Sequence, residues 1–262
     1  MNKKIFSENC NLSSYTSIKV GGVAEYFAEP KSIEELSYLM KWANLNKQRC
    51  QIIGAGSNLL INNIFIKGLV MCTKKLKSLK IEPYSGIVEA EAGVMLPTLS
   101  NALAKNGLQG GEWAVGIPGT LGGAIYMNAG TGNISLAKNL ISVKVINNKT
   151  NEELQIEKKD ITFEYRFSSF QSNDLTIISA KLHFEPNGNL EQLIQTTKNN
   201  LKLKTETQPY HLPSFGSVFK NPENNYAAKL IDDMGLKGFK IGGAEISTMH
   251  SNFIINNSSA SS

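Results

Sequence analysis

The spacing of hydrophobic residues predicts two helices in the first half of the chain. Residues 31–44, KSIEELSYLMKWAN, carry apolar side chains at helical intervals, and Ser32 stands three residues before Glu35, the spacing of a helix capping box. Residues 96–107 predict a second helix, with a proline near its start and a glycine at its end. Five apolar runs around these helices have the length and composition of strands: residues 16–20, 24–29, 50–56, 68–73 and 86–93.

The pattern changes near residues 186–189, within the sequence EPNGN. Before this point the chain predicts a hairpin and one long strand; after it, two helices and a final strand are predicted. These elements are residues 140–147, 152–158 and 174–185, then residues 189–204, 226–235 and 251–256. Short strands with separately placed helices are typical of an α+β fold.

We therefore predict two domains. The first covers residues 1–187, with subdomains 17–73 and 74–187, and the second covers residues 188–262. The glycine-rich loops lie in the first domain, whereas the second is smaller and mixes helix with strand. A chain of this length can bury a sizeable core in such an arrangement.

Composition and charge exclude several classes of protein. With 41% hydrophobic and 19% charged residues, the chain is an ordinary globular protein. Its net charge is +5, but the densest basic run, residues 73–80, is short and has no aromatic residues between the lysines. We therefore predict no nucleic-acid partner, although a modest positive charge favours anionic ligands. No apolar run is long enough to cross a membrane, so no membrane partner is predicted.

Cysteine and histidine are few and scattered. Cys10, Cys50 and Cys72 form no CxxC pair, which argues against disulfides and zinc and favours a reducing compartment. The N-terminal residues lack the apolar core of a signal peptide, so a cytoplasmic location is predicted. The three histidines are far apart, so we expect no metal site. The sequence indicates no oligomeric state.

Two glycine-rich stretches are the main candidates for ligand binding. They are IIGAGSNLLI at 52–61 and VGIPGTLGGAIYMNAG at 115–130, and the second has no charged side chain. Successive backbone N–H groups in such turns bind anions, and glycine allows close approach to a phosphate. Neither stretch is a Walker A motif or a G-x-G-x-x-G fingerprint. Each alone is also typical of a tight turn; together they favour a bound diphosphate.

Six motifs in a fixed order resemble one known family. The motifs are GAGSNLL, GIPGTLGGAIYMNAG, YRFSSF at 165–170, GSVFKNP at 216–222, GLKGFKIGGAEIS at 235–247, and HSNFIIN. From about Thr16 to its last residue, the chain is similar to the UDP-N-acetylenolpyruvoylglucosamine reductase family. The resemblance implies an α+β fold with a two-part FAD-binding domain of the vanillyl-alcohol-oxidase type and a smaller substrate domain.

The same resemblance implies the chemistry and the cofactor site. Members of the family use NADPH to reduce FAD and then reduce the enolpyruvyl ether of UDP-N-acetylglucosamine to UDP-N-acetylmuramate. No histidine or cysteine lies in either glycine loop, so we predict that FAD is bound non-covalently. The residues expected to bind it are Gly54, Ala55, Gly56, Ser57, Asn58, Leu59, Gly116, Ile117, Pro118, Gly119, Thr120, Gly122, Gly123, Asn128 and Gly130.

Two residues match catalytic positions of the family. Arg166 matches an arginine whose guanidinium can clamp the substrate carboxylate, and Ser217 matches the serine that gives a proton to carbon. Because a free serine is a weak acid, Ser217 needs either a stabilised alkoxide or a proton relay, for which Lys220 or water is the candidate. Lys220 and Asn221 are candidate substrate-binding residues. Without the resemblance, Arg166 is also typical of a surface arginine and Ser217 of a turn serine.

The sequence also departs from the family pattern. A small residue is usual where Phe215 stands, and a third functional residue, a glutamate, belongs near the C-terminus. Glu245 does not match that glutamate, so the C-terminal domain is expected to be incomplete. The tight spacing of the last motifs fits the shorter form of the family. The alternatives are an FAD- or nucleotide-binding protein with little or no turnover, and a flavin oxidase that acts on another substrate.

Overall fold

A computed structural model describes residues 5–262. Its strands in the first half are β1 (Ser7–Asn11), β2 (Val23–Ala28), β3 (Cys50–Ile53), β4 (Phe65–Cys72), β5 (Leu79–Glu82), β6 (Ile87–Glu91), β7 (Gly130–Thr131) and β8 (Ile134–Ser135). The later strands are β9 (Leu140–Asn147), β10 (Glu153–Glu157), β11 (Phe163–Glu164), β12 (Phe167–Ser168), β13 (Leu175–His183), β14 (Ser214–Ser217), β15 (Lys240–Ile241), β16 (Ala244–Ile246) and β17 (Phe253–Asn256). The helices are α1 (Ile33–Leu45), α2 (Leu96–Lys105), α3 (Leu121–Tyr126), α4 (Leu190–Thr207) and α5 (Ala227–Asp233).

The first sheet has the order β1-β2-β4-β3, with β2, β4 and β3 parallel and β1 antiparallel at the edge. Helix α1 begins at the predicted cap, where the N–H of Glu35 donates to the hydroxyl of Ser32 at 3.2 Å. Its buried face packs on this sheet together with Ile146 and Ile178 of the neighbouring sheet. The first two sheets therefore share a hydrophobic core.

The second sheet is antiparallel, with the order β10-β9-β13-β6-β5. Helices α2 and α3 pack on it around the largest hydrophobic core of the described chain. The predicted hairpin is confirmed as β9 and β10, and the predicted long strand as β13. These elements place the start of α3, which carries the second glycine-rich stretch, beside the end of β3.

The third sheet has the order β14-β17-β16-β15, and all four of its strands lie after residue 213. Helix α4 precedes it but packs against α2 and the 3₁₀ turn Glu112–Gly116 of the first part. Glu245 is buried on β16, where it accepts a hydrogen bond from the Asn257 amide and pairs with Lys240 at 3.3 Å. It is therefore engaged inside this sheet.

The predicted strand at residues 16–20 is wrong. Lys19 has a left-handed φ of +61°, and the hydroxyl of Thr16 donates to the carbonyl of Val20 at 2.7 Å, which closes a turn. Ile18 and Val20 are buried, so their alternation reflects a loop packed on the core rather than a strand. The edge strand lies earlier, at β1, where the sequence SENCN has almost no apolar signal.

Candidate active site

The two glycine-rich loops lie against each other. A Cβ built on Gly54 would lie 2.4 Å from Oγ1 of Thr120, and one built on Gly119 would lie 3.3 Å from Oγ of Ser57. Within residues 5–262, the backbone N–H groups of residues 55–59, 119 and 120 have no protein acceptor. Such groups need an acceptor from water or from a ligand. The paired loops therefore offer adjacent sets of unused hydrogen-bond donors.

Gly56 is required by a close approach of the backbone. Its φ is +64°, and a Cβ at this position would lie 2.0 Å from the carbonyl oxygen of Tyr15. The N–H of Ser17 donates to the carbonyl of Gly56 at 3.1 Å. A side chain at Gly56 would displace the segment from Tyr15 to Ser17, which holds the first glycine-rich loop in place.

The glycines of the second stretch have different neighbours. A Cβ on Gly122 would lie 2.9 Å from Cβ of Ala92, so this glycine permits packing inside the protein. Gly123 is exposed, and its Cβ would approach only the hydroxyl of Thr120, at 3.5 Å. That hydroxyl also accepts the Gly123 N–H and caps α3. Gly123 therefore leaves a surface that a flat ligand can approach.

The remaining loop residues predicted to bind the cofactor differ in exposure. Gly116 is buried, as are Asn128 and Gly130 at the end of α3. Half-buried residues are Ala55, Ser57 and Ile117, and exposed residues are Asn58, Leu59 and Pro118. Gly130 opens the short hairpin β7–β8, where its Cβ would lie 2.2 Å from the carbonyl oxygen of Ile134.

Arg166 lies in the turn between β11 and β12 and has a left-handed φ of +57°. This conformation is costly for a residue with a long side chain, so the surrounding hairpin must hold it in place. Its Nη2 donates to the carbonyl of Gly130 at 2.9 Å, and its Cζ lies 5.2 Å from the ring centroid of Tyr165. These contacts orient the guanidinium and leave most of its N–H donors for a ligand.

Asn128 connects the second glycine-rich stretch to the Arg166 turn. It has a φ of +43° just after α3, a position that favours asparagine or glycine. Its amide nitrogen donates to the carbonyl of Glu164 at 2.8 Å, whereas its buried Oδ1 has no partner. The hydroxyl of Ser168 adds a bond of 2.7 Å to the carbonyl of Tyr126. The end of α3 therefore positions the hairpin that carries Arg166.

Replacing Asn128 with alanine is expected to lower the free energy of unfolding by about 1–3 kcal/mol. The variant loses the donor to Glu164 and forces alanine into a left-handed conformation. Urea unfolding of the purified protein measures the change. Asn128→Gly is the matched control, because it keeps the backbone conformation and removes only the amide. Equal stability of Asn128→Ala and the parent protein would refute this account.

Ser217 is exposed at the end of β14, next to β17. Buried Asn252 fixes the residues after it: its Oδ1 accepts the Phe219 N–H and its Nδ2 donates to the Phe219 carbonyl, both at 2.9 Å. The N–H of Val218 donates to the Asn252 carbonyl at 2.9 Å. Asn252 lies in the motif HSNFIIN, but the sequence analysis did not name it as a site residue.

The Arg166 turn and the segment after Ser217 meet at Tyr165. The N–H of Asn221 donates to the Tyr165 hydroxyl at 3.4 Å, while Oδ1 of Asn221 accepts the first N–H of α5 at 3.1 Å. Asn221 therefore connects the hairpin with α5. Lys220, beside it, is exposed.

Ser17 joins the first glycine-rich loop to the strand of Ser217. Its hydroxyl lies within hydrogen-bond distance of two carbonyl oxygens, that of Ser214 on β14 and, at 3.4 Å, that of Gly56. Asn256 of β17 donates to the carbonyl of Ile18 at 3.0 Å. The turn that replaces the predicted strand at 16–20 therefore contacts both halves of the candidate site.

Two classes of feature are missing from the part of the chain that the structure describes. No group of three or more histidine, cysteine, aspartate or glutamate side chains there could hold a metal ion. No helix over residues 5–262 is both long and apolar enough to cross a membrane.

Comparison with known proteins identifies the family. Residues 24–154 match a family model described as an FAD binding domain, and residues 208–262 match the C-terminal domain of UDP-N-acetylenolpyruvoylglucosamine reductase. A protein of that name from Prochlorococcus marinus subsp. pastoris is 71% identical over 98% of this chain and 87% of its own length. The chain belongs to the UDP-N-acetylenolpyruvoylglucosamine reductase family. A further member, from Prochlorococcus marinus strain NATL2A, is 48% identical over the whole chain and 89% of its own length.

Solved structures agree with this membership. The reductase of this family from Thermus caldophilus has a TM-score of 0.83 and 29% identity, and the alignment covers 97% of this chain and 90% of that one. A variant of Phl p 4, a glucose oxidase, shares only the fold, with a TM-score of 0.53 and 14% identity over 71% of this chain and 42% of its own. The predicted family and the predicted α+β fold class are confirmed. The domain limits at 187/188 and at 73/74 stay predictions.

Proposed function

We infer that the chain catalyses the NADPH-dependent reduction, through FAD, of UDP-N-acetylglucosamine enolpyruvate to UDP-N-acetylmuramate, a step of peptidoglycan precursor synthesis. The observation that carries this activity is 71% identity to a reductase over nearly the whole chain. FAD is the cofactor, NADPH is the reductant, and the enolpyruvyl UDP-sugar is the substrate. The alternative of a binding protein without turnover is not favoured.

The paired glycine loops fit FAD. Their unused N–H donors suit a diphosphate, and a Cβ at Gly123 would occupy the exposed surface where a flat ring can approach. We propose that residues 54–59 and 116–123, with Asn128 and Gly130, hold the cofactor. When bound, FAD supplies hydride transfer from NADPH to the enolpyruvyl double bond.

Arg166 is proposed to bind the substrate carboxylate. Addition of hydride to the double bond builds negative charge next to this carboxylate, and a guanidinium held in place stabilises that charge. The Gly130 carbonyl and the Tyr165 ring hold the Arg166 side chain before substrate arrives. Less reorganisation is then needed when the charge develops.

Ser217 is proposed to protonate the carbon next to the one that receives hydride. Its exposed position at the end of β14 suits contact with a substrate, and Asn252 keeps the following residues rigid. The hydroxyl must regain a proton from a neighbour, for which Lys220 or a water molecule is the candidate. Lys220 and Asn221 are also proposed to contact the substrate.

The location of the protein is proposed to be the cytoplasm. All three cysteines are free, with Cys72 buried and Cys10 and Cys50 half-buried, which suits a reducing compartment. NADPH and nucleotide sugars are available there. Neither nucleic acid nor membrane is proposed as a partner.

A visible spectrum of the purified chain, taken before and after anaerobic NADPH and then after the UDP-sugar, tests the proposed function. We expect a flavin spectrum that bleaches with NADPH and recovers with the enolpyruvyl UDP-sugar. Bleaching without recovery would favour a protein that binds FAD but does not reduce this substrate. Peroxide formed on admission of oxygen, with no response to the UDP-sugar, would favour the oxidase.

A further inference from the structure

Lys204 is a half-buried lysine that none of the family motifs includes. It lies in the last turn of α4, where the neighbouring side chains of Lys202 and Leu203 are exposed. A Cβ built on Gly116 would lie 2.5 Å from Cγ and 3.1 Å from Cβ of Lys204, so the aliphatic part of the lysine crosses the face of this glycine. The hydroxyl of Tyr210 donates to the carbonyl of Gly116. Because Gly116 has no side chain, Lys204 can pack against the second glycine-rich stretch.

Lys204 and Arg166 are held by neighbouring pieces of backbone: the stem of Lys204 crosses Gly116, Arg166 donates to the carbonyl of Gly130, and the 3₁₀ turn that ends at Gly116 contacts the strand β7 that begins at Gly130. Burial lowers the pKa of Lys204, and the charge of Arg166 lowers it further. The pKa of His250 is also lowered, first by burial and then by Lys204 and Lys237, against a backbone hydrogen bond that raises it. Nδ1 of His250 accepts the N–H of Asn252 at 3.3 Å, in keeping with a neutral ring. The backbone contacts and these pKa directions together place two positive charges on the same side of the second glycine-rich stretch.

No carboxylate of residues 5–262 lies within 4 Å of either charge. Other lysines are paired: Lys202 lies 3.7 Å from Glu206 on the surface of α4, and Lys229 lies 2.6 Å from Asp233. Bringing two cations together in a partly buried place costs free energy unless an anion joins them. The missing partner is thus an anion that arrives with a ligand.

We propose that Lys204 is a second cation for the enolpyruvyl carboxylate, acting beside Arg166. This inference rests on the proposed function and adds a residue to its site. Arg166 presents a planar set of donors to the carboxylate, whereas the compact ammonium of Lys204 adds charge without fixing a direction. The pair counters the negative charge that spreads onto the carboxylate during hydride addition.

Two variants and a matched control test the proposal. Lys204→Met keeps the aliphatic stem on Gly116 and removes the charge, and Lys204→Arg keeps the charge. Lys202→Met removes an exposed lysine of the same helix. For each FAD-loaded protein, calorimetric titration without NADPH gives the affinity for the enolpyruvyl UDP-sugar and for UDP-N-acetylglucosamine, which has the diphosphate but no carboxylate. Thermal unfolding, flavin content and the flavin reduction potential are measured on the same samples.

Lys204→Met is expected to weaken binding of the enolpyruvyl UDP-sugar about 10- to 100-fold, with less than about a twofold change for UDP-N-acetylglucosamine. Lys204→Arg should restore most of the affinity, and Lys202→Met should resemble the parent protein. If the Lys204→Met protein loses FAD, Lys204→Gln is titrated instead. Its loss of affinity for the enolpyruvyl UDP-sugar is again compared with its loss of affinity for UDP-N-acetylglucosamine.

Three outcomes would overturn the proposal. Equal losses of affinity for the two UDP-sugars would mean that Lys204 binds their diphosphate. Loss of thermal stability or of flavin, with an unchanged ratio of the two affinities, would mean that Lys204 serves only in packing. A changed flavin reduction potential with unchanged affinities would place its charge at the cofactor. In each case the parent protein still reoxidises its flavin with the UDP-sugar. Failure of that recovery would instead reject the proposed function.

Discussion

Replacing Ser217 with alanine is expected to slow reoxidation of the flavin by the enolpyruvyl UDP-sugar about 10²- to 10⁴-fold, the usual loss when a general acid is removed. Reduction by NADPH should stay within about twofold of the parent rate, because no proton is delivered to carbon in that half-reaction. Anaerobic stopped-flow absorbance measures the two half-reactions separately.

Ser214→Ala is the control for this prediction. Ser214 lies on the same strand, and only its carbonyl is engaged, by the hydroxyl of Ser17. We expect both half-reactions of Ser214→Ala to match the parent protein. If the Ser217 variant reoxidises at the parent rate, the serine is not the proton donor. Equal slowing of both half-reactions would indicate damage to the cofactor site instead.

Replacing Gly56 with alanine is expected to destabilise the protein by about 2–5 kcal/mol and to abolish stable retention of FAD. About 1–2 kcal/mol comes from a left-handed backbone that now carries a side chain, and about 1–3 kcal/mol from the overlap with the Tyr15 carbonyl. The same displacement breaks the bond between Ser17 and Gly56. Urea unfolding and the flavin content after gel filtration measure the two effects.

Gly132→Ala separates the two contributions. Gly132 also has a left-handed φ, of +55°, but a Cβ there would meet nothing within 4 Å. We expect a loss of only about 1–2 kcal/mol and normal flavin content. Similar losses in the two variants would mean that the close approach to Tyr15 is unimportant.

The sequence predicted the regular elements because their apolar residues recur at fixed intervals. Helix α1 buries Leu36, Leu39, Met40 and Ala43 on one face, and the cap at Ser32 forms as its motif predicts. The hairpin β9–β10 joins the apolar strand β9 to β10, in which Leu154 and Ile156 alternate with polar residues. In these segments local preference and tertiary packing agree, so a pattern in the sequence is sufficient.

Other elements gave no such pattern. Strand β1 is an exposed edge of polar residues, and β5 begins within the basic run at residues 73–80, for which no strand was predicted. Strand β14 carries Ser217 but is only four residues long and includes a glycine. Pairing with a distant strand, rather than local preference, makes these residues extended.

The same limit applies to the candidate site. Motifs included Arg166, Ser217, Asn128 and Asn252, but they did not predict the contacts by which the two asparagines hold their neighbours in place. Asn128 reaches the carbonyl of Glu164 across 36 positions, and Asn252 reaches Phe219 across 33. Lys204 meets Gly116 only because α4 packs on the 3₁₀ turn at Glu112–Gly116. Such contacts depend on the assembled fold and have no signature in neighbouring residues.

The hydroxyl of Ser17 has a single proton and two carbonyl acceptors, one in the cofactor loop and one in the strand of Ser217. Any shift of the cofactor loop that changes its bond to Ser17 therefore also changes the support of that strand. If the loop holds FAD and the strand contacts the substrate, as proposed, we expect the two affinities to be linked through this residue. Thermodynamic reciprocity then requires that FAD changes the affinity for substrate by the same factor by which the substrate changes the affinity for FAD.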